Sequence, residues 1–175
     1  MPILQNKKVL FIIANNNFRD EELFFPREIL QNAGAEIFIS SSVLTPASGL
    51  KGSKIDIDLT IDTVVPNKFD AVIFVGGGAR EYFSNRIAHK IAQDTIKAGK
   101  ILGAICIAPV ILANSGVLKN KRATVFKSEI ETIKKLNIIY DENKVVEDGN
   151  IITASGPEAA KEFGEAIKNK LSFLS

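Results

Sequence analysis

Three stretches of this chain are apolar almost without interruption: Lys8-Val9-Leu10-Phe11-Ile12-Ile13-Ala14, Ala71-Val72-Ile73-Phe74-Val75 and Lys100-Ile101-Leu102-Gly103-Ala104-Ile105. They are far too short to cross a bilayer, and they do not alternate, so both faces of each avoid water. A strand buried on both faces belongs in a parallel sheet covered by helices. Helical patterns fill the intervals. Residues 20–33 read as a helix closed by Gly34, and residues 86–98 as an amphipathic helix with Gly99 beyond it. This order predicts an α/β fold, a doubly wound sheet with helices on both faces.

The rest of the chain keeps the same rhythm. Residues 35–40 read as a strand, and residues 49–62 alternate (Ile55, Ile57, Leu59, Ile61 against polar neighbours) as a half-exposed antiparallel excursion. Residues 107–113 read as a helix with Pro109 in its first turn. Beyond it come strand candidates at 123–126, 137–140, 144–147 and 150–153, a short helix at 128–136 and a last helix from Pro157. No linker, repeat or low-complexity stretch divides the 175 residues, so a single domain covers residues 1–175. A chain of that size can bury about 70% of its unfolded surface.

Composition excludes several roles. The 22 basic and 20 acidic residues are spread along the chain and leave a net charge of +2, which gives no footprint for nucleic acid or an anionic membrane. No apolar run reaches the length of a membrane span, and the first residues hold no signal-like apolar core. One cysteine allows no internal disulfide. A lone reduced thiol suits the cytoplasm.

That cysteine, Cys106, falls between a buried strand and a helix. Open α/β sheets place their sites at this edge, and a helix N-terminus is expected to lower the thiol pKa. A buried space-filling cysteine is the competing reading. Two further features converge on the same edge. Gly76-Gly77-Gly78 follows a buried strand, and such a turn lets backbone N–H groups approach a bound group. It lacks the spacing of a dinucleotide fingerprint or a phosphate loop, and no cofactor or metal is expected. Asp20-Glu21-Glu22-Leu23-Phe24-Phe25-Pro26 opens a helix, where acidic residues ordinarily complement the macrodipole. Pro26 cannot donate to the carbonyl four residues back, that of Glu22, which singles out this carboxyl among the three.

Together these residues resemble the ThiJ/PfpI superfamily. The resemblance rests on Phe18-Arg19-Asp20-Glu21-Glu22-Leu23-Phe24-Phe25-Pro26, on Phe69 to Gly77 and on Ala104-Ile105-Cys106-Ile107-Ala108-Pro109 with Gly116-Val117-Leu118. Asp148-Gly149-Asn150-Ile151-Ile152-Thr153 and Ser155-Gly156-Pro157 complete it. It implies a flavodoxin-like three-layer sandwich, shared with class I glutamine amidotransferase domains, and a homodimer or larger ring. It also implies roles: Cys106 as nucleophile on a strained elbow, Glu22 as hydrogen-bond partner of its sulfur, and the backbone N–H groups of Gly77 and Ile107 as an oxyanion hole.

One departure shapes the expected chemistry. PfpI-type members carry a histidine directly after the cysteine, and here that residue is Ile107. The sole histidine, His89, lies about 200° around its helix from Ile87 at 100° per residue and is expected to face solvent. A thiolate, a protonated carboxyl and an oxyanion hole suffice for glyoxalase-like or deglycase-like attack on small carbonyls and glycated substrates. The alternatives are a redox sensor working through Cys106 oxidation and, less favoured, a PfpI-type cysteine peptidase.

Overall fold

In the computed structural model, which describes residues 2–174, the chain alternates strand and helix as the periodicity demands. The first half holds β1 (Lys8–Ile12), β2 (Asn16–Phe18), α1 (Asp20–Asn32), β3 (Glu36–Ser41), β4 (Ala47–Gly49), β5 (Lys54–Ile55), β6 (Leu59–Thr60) and β7 (Ala71–Phe74). The second holds α2 (Arg86–Lys97), β8 (Ile101–Ile105), α3 (Pro109–Ser115), β9 (Arg122–Ala123), α4 (Ile130–Lys134), β10 (Ile139–Tyr140), β11 (Val145–Asp148), β12 (Ile151–Ala154) and α5 (Ala160–Phe173).

Seven strands form the main sheet in the order β11-β12-β8-β7-β1-β3-β6. Every pairing in it is parallel except that of β11 with β12, a hairpin at one edge. The three apolar runs occupy the centre, β8-β7-β1, where both faces are covered; Val9 to Ile12, Ala71 to Phe74 and Ile101 to Ile105 are all buried. From β1 the chain crosses through α1 to β3 on one side, and from β7 it crosses through α2 to β8 on the other. Right-handed crossovers in opposite directions put the two helices on opposite faces. Accordingly α1 packs against α5 in one layer and α2 against α3 in the other.

Three local readings change. The alternating segment 49–62 is only partly an antiparallel excursion: β4 and β5 pair antiparallel, but β6 turns back and joins β3 in parallel at the sheet's edge. Asp58 directs that return, because its carboxylate accepts from the Ile39 amide at 2.8 Å while its own amide donates to the Ile39 carbonyl. Asn15-Asn16-Asn17, polar residues that read as a loop after the first apolar run, instead contribute to β2, which pairs with β4 in a small separate sheet with Asn17 at φ +62°. The α3 helix starts at Pro109 rather than at residue 107, which leaves Ile107 and Ala108 in the turn.

Among the described residues, no helix is long and apolar enough to cross a membrane.

Candidate active site

The C-terminal ends of β1, β7 and β8 bring the candidate residues together. Ile105 ends β8, and the next residue, Cys106, takes φ +67°, a left-handed conformation that non-glycine residues seldom adopt. The surroundings hold it there. Its amide donates to the Ala154 carbonyl at 2.9 Å, and its own carbonyl accepts from the Phe126 amide at 2.7 Å. The elbow is therefore pinned by Ala154, the last residue of β12, and by Phe126, three residues past β9. A residue clamped at both backbone ends in a sparsely populated conformation marks a place where geometry overrides local preference.

The turn after β7 lies against this elbow. A side chain at position 76 would run into the Glu22 carboxyl and come within 2.7 Å of the Cys106 Cβ, so only glycine fits between the two. Gly77 has φ +83°, and a Cβ there would strike the backbone of Phe18 and Arg19. The N–H groups of both Gly77 and Ile107 serve the Cys106 sulfur and favour its charged form. Neither donates to a backbone carbonyl among the described residues.

Glu22 arrives from the first turn of α1 and is fully buried. Pro26 sits inside α1 without ending it, and packs on Gly164 of α5. One carboxyl oxygen, Oε2, accepts from the Gly76 amide at 2.9 Å. The other, Oε1, is buried without a regular hydrogen bond. The Cys106 thiol is the side chain that couples to this carboxyl. Burial pushes the Glu22 carboxyl up to about 7, against the pull of the thiol, the Gly76 amide and the Arg19 charge.

The thiol itself runs against the helix-terminus expectation. Burial, followed by the Glu22 charge, pushes Cys106 up rather than down; the Ile107 and Gly77 amides pull the other way and do not win. The physical reason is distance along the chain. The α3 helix has seven residues and begins three positions after Cys106, so its terminus is not wrapped around the sulfur.

His89 is not part of this cluster. It is half-buried rather than solvent-facing, and its Nε2 donates to the Phe83 carbonyl at 2.8 Å. The buried face of α2 is Ala88, Ile91, Ala92 and Thr95, while Ile87 is 43% exposed. Measured from the true face, His89 sits on a flank, about 100° from Ala88, with Ile87 on the other.

Residues of the same region escaped the motif reading. Arg80, just after the glycine turn, forms an ion pair with Glu129, which is buried and also accepts from Thr132 Oγ1 at 2.9 Å. This pair ties the β7 turn to the segment after Phe126. Arg19 precedes α1, and its amide donates to the Gly76 carbonyl at 3.2 Å. No local pattern marks either residue, since each acts across more than 40 positions of sequence.

The model of the DJ-1/PfpI family matches residues 7–170 of this chain. The chain belongs to that family. An uncharacterized protein of Methanocaldococcus jannaschii is 39% identical to it over 170 residues, which span 94% of this chain and 83% of the relative. The deglycase PfpI of Pyrococcus furiosus is 34% identical over 151 residues, 86% of this chain and 90% of that one. A crystal structure of a ThiJ/PfpI domain protein from Brachyspira murdochii superposes with a TM-score of 0.95 at 31% identity, covering 98% of this chain and 99% of that one. DJ-1/PfpI membership and the fold read from the sequence thus agree with both the sequence and the structural relatives.

Proposed function

We propose that this protein is a deglycase-like enzyme acting on small reactive carbonyls and their early adducts, with Cys106 as nucleophile and Glu22 as its proton acceptor. Relatives named deglycases, including that of Pyrococcus furiosus, support the activity class. The observation that carries the mechanism is the pairing of a strained, amide-flanked thiol with a buried carboxyl poised at about 7. A general base is most effective when its pKa lies near the working pH.

The first step follows from the donors present. As the Cys106 sulfur attacks an aldehyde carbon, the S–C bond forms and the thiol proton passes to the Glu22 carboxylate. The carbonyl π pair moves onto oxygen, where the Gly77 and Ile107 amides can hold it. Glu22, now protonated, returns a proton to the oxygen. In the resulting thiohemiacetal of an α-oxoaldehyde, a hydride shifts from the thiohemiacetal carbon to the adjacent carbonyl carbon while the hydroxyl proton passes to that carbonyl's oxygen, which gives a 2-hydroxythioester. Water then cleaves it to the thiol and a 2-hydroxy acid. Oxidation at one carbon balances reduction at the other, so no external oxidant is needed.

The test is to incubate the protein with methylglyoxal, and with its adducts of N-acetylated amino acids, and to follow lactate. Lactate that vanishes in Cys106→Ser supports the reading. No lactate, together with a gain of two oxygens on Cys106 under mild peroxide, would replace it with a redox sensor.

A further inference from the structure

A cleft of about 470 Å³ lies next to the segments that clamp the Cys106 elbow, and no part of the proposed chemistry uses it. Its walls include Arg19, Phe126, Lys127, Tyr140, Ser155 and Glu158. Three of these adjoin the elbow directly. Phe126 donates its amide to the Cys106 carbonyl, Ser155 follows the Ala154 carbonyl that accepts from Cys106, and Arg19 is tethered to Gly76. A three-carbon oxoaldehyde would leave most of this space empty, so the cleft fits the remainder of a larger adduct.

The charges in the cleft are uneven. Arg19 uses Nε for Glu21 at 3.0 Å, and Glu21 is itself shared with Lys51. The two terminal nitrogens of Arg19 make no hydrogen bond to a described residue, and its side chain is 36% exposed. Lys127 is exposed, and its ammonium has no ion pair among the described residues. Glu158 is the single acid among the lining residues, and Glu21, outside the lining, is balanced by Lys51. Net charge +1 suits a monoanion better than a dianion such as phosphate. A guanidinium fork matches a carboxylate, and the rings of Phe126 and Tyr140 supply an apolar wall for the body that carries it.

We propose that this cleft is a carboxylate-binding subsite, held by Arg19 and Lys127, which selects carbonyl adducts that carry a free α-carboxylate over neutral adducts. The proposal rests on the reading of Cys106 as the nucleophile.

Two matched reagents test the subsite without turnover. Iodoacetate and iodoacetamide alkylate the same sulfur and differ in one carboxylate. The rate ratio of iodoacetate to iodoacetamide at Cys106 is expected to exceed that of N-acetylcysteine about 10-fold, the equivalent of one good ionic contact of about 1.4 kcal/mol. It should fall toward the N-acetylcysteine value in Arg19→Gln/Lys127→Gln and with rising salt. Lys127→Glu, a change at an exposed position, should lower it further. A wild-type ratio equal to that of N-acetylcysteine, or one unmoved by these variants, would overturn the subsite.

Turnover separates this proposal from the one beneath it. Methylglyoxal adducts of N-acetylcysteine should be processed with higher kcat/KM than those of N-acetylcysteine amide. Equal processing of acid and amide removes the subsite and leaves the carbonyl reading standing. A raised alkylation ratio with no turnover of either adduct does the reverse. A thiol inert to both reagents removes the two together.

Discussion

Glu22 accepts a hydrogen bond from the Gly76 amide at 2.9 Å, which fixes its carboxyl in a fully buried position against the Cys106 thiol. One acid and one thiol are thereby held together in a buried position. Whichever group ionises makes the other harder to ionise, and Glu22 is the easier of the two.

Stability should therefore fall as the pH rises through the Glu22 titration. The carboxyl titrates near 4.5 in an unfolded chain and at about 7 in the fold. Between those values the native state holds a proton that the unfolded state has released, so raising the pH favours unfolding. The full loss, of about 3 kcal/mol at about 1.4 kcal/mol per unit, is reached above neutrality and is absent below 4.5. Glu22→Gln keeps an acceptor for Gly76 and cannot ionise. Its melting temperature should match the wild type near pH 4 and exceed it at pH 8. Parallel curves across that range would contradict the burial argument.

The same variant should be slow. Without a carboxylate to take the thiol proton, kcat/KM on a methylglyoxal adduct is expected to drop about 10²–10⁴-fold. In the wild type, kcat/KM should rise with pH through about 7, as Glu22 becomes a base, and then level off. A pH-independent rate would assign the proton to another acceptor.

Cys106 holds its φ of +67° against its own preference. Only glycine adopts that region without cost, so Cys106→Gly should be more stable than Cys106→Ala by about 1 kcal/mol, although it buries less. Denaturant titration of the two variants decides it. Equal stabilities would mean that the elbow is not strained.

The Arg80–Glu129 pair should matter to both folding and rate. Glu129 is buried, and Arg80→Met would leave it with Thr132 alone as a side-chain donor. A loss of about 1–2 kcal/mol is expected. Because the pair braces the glycine turn, kcat should fall more than KM rises, and Arg80→Lys should recover part of both. An unchanged kcat would confine the pair to stability.

How far the sequence discloses this arrangement depends on the range of each interaction. The central strands β1, β7 and β8 are legible because burial on both faces writes itself into consecutive residues. Cys106, Gly77 and Glu22 are legible because each ends or begins an element at the same sheet edge. The thiol's upward shift is not, since it depends on how deeply Glu22 and Cys106 are buried together, and no local pattern encodes that. The flank position of His89 was obscured by Ile87, an apolar residue that the fold leaves exposed. β2 and β6 are three- and two-residue strands recruited by distant partners, too short to carry a period.

Peptide hydrolysis makes demands that this site does not meet. Expelling an amine requires a general acid placed at the leaving nitrogen, in addition to the base that activates the sulfur. Ile107, the residue after the nucleophile, carries no proton to give. The single histidine is held on α2 by the Phe83 carbonyl, outside the cluster around the thiol. Glu22 is fully buried and bound to Gly76, and its carboxyl is already given over to the thiol proton. Losing one member of an acid–base pair costs about 10²–10⁴-fold in rate. A fluorogenic peptide should thus be cleaved at background by protein that still forms lactate from a methylglyoxal adduct, in which no amide bond has to break. Cleavage at ordinary enzyme rates that disappears in Cys106→Ala would require a proton donor outside this cluster and would make peptide hydrolysis the primary activity.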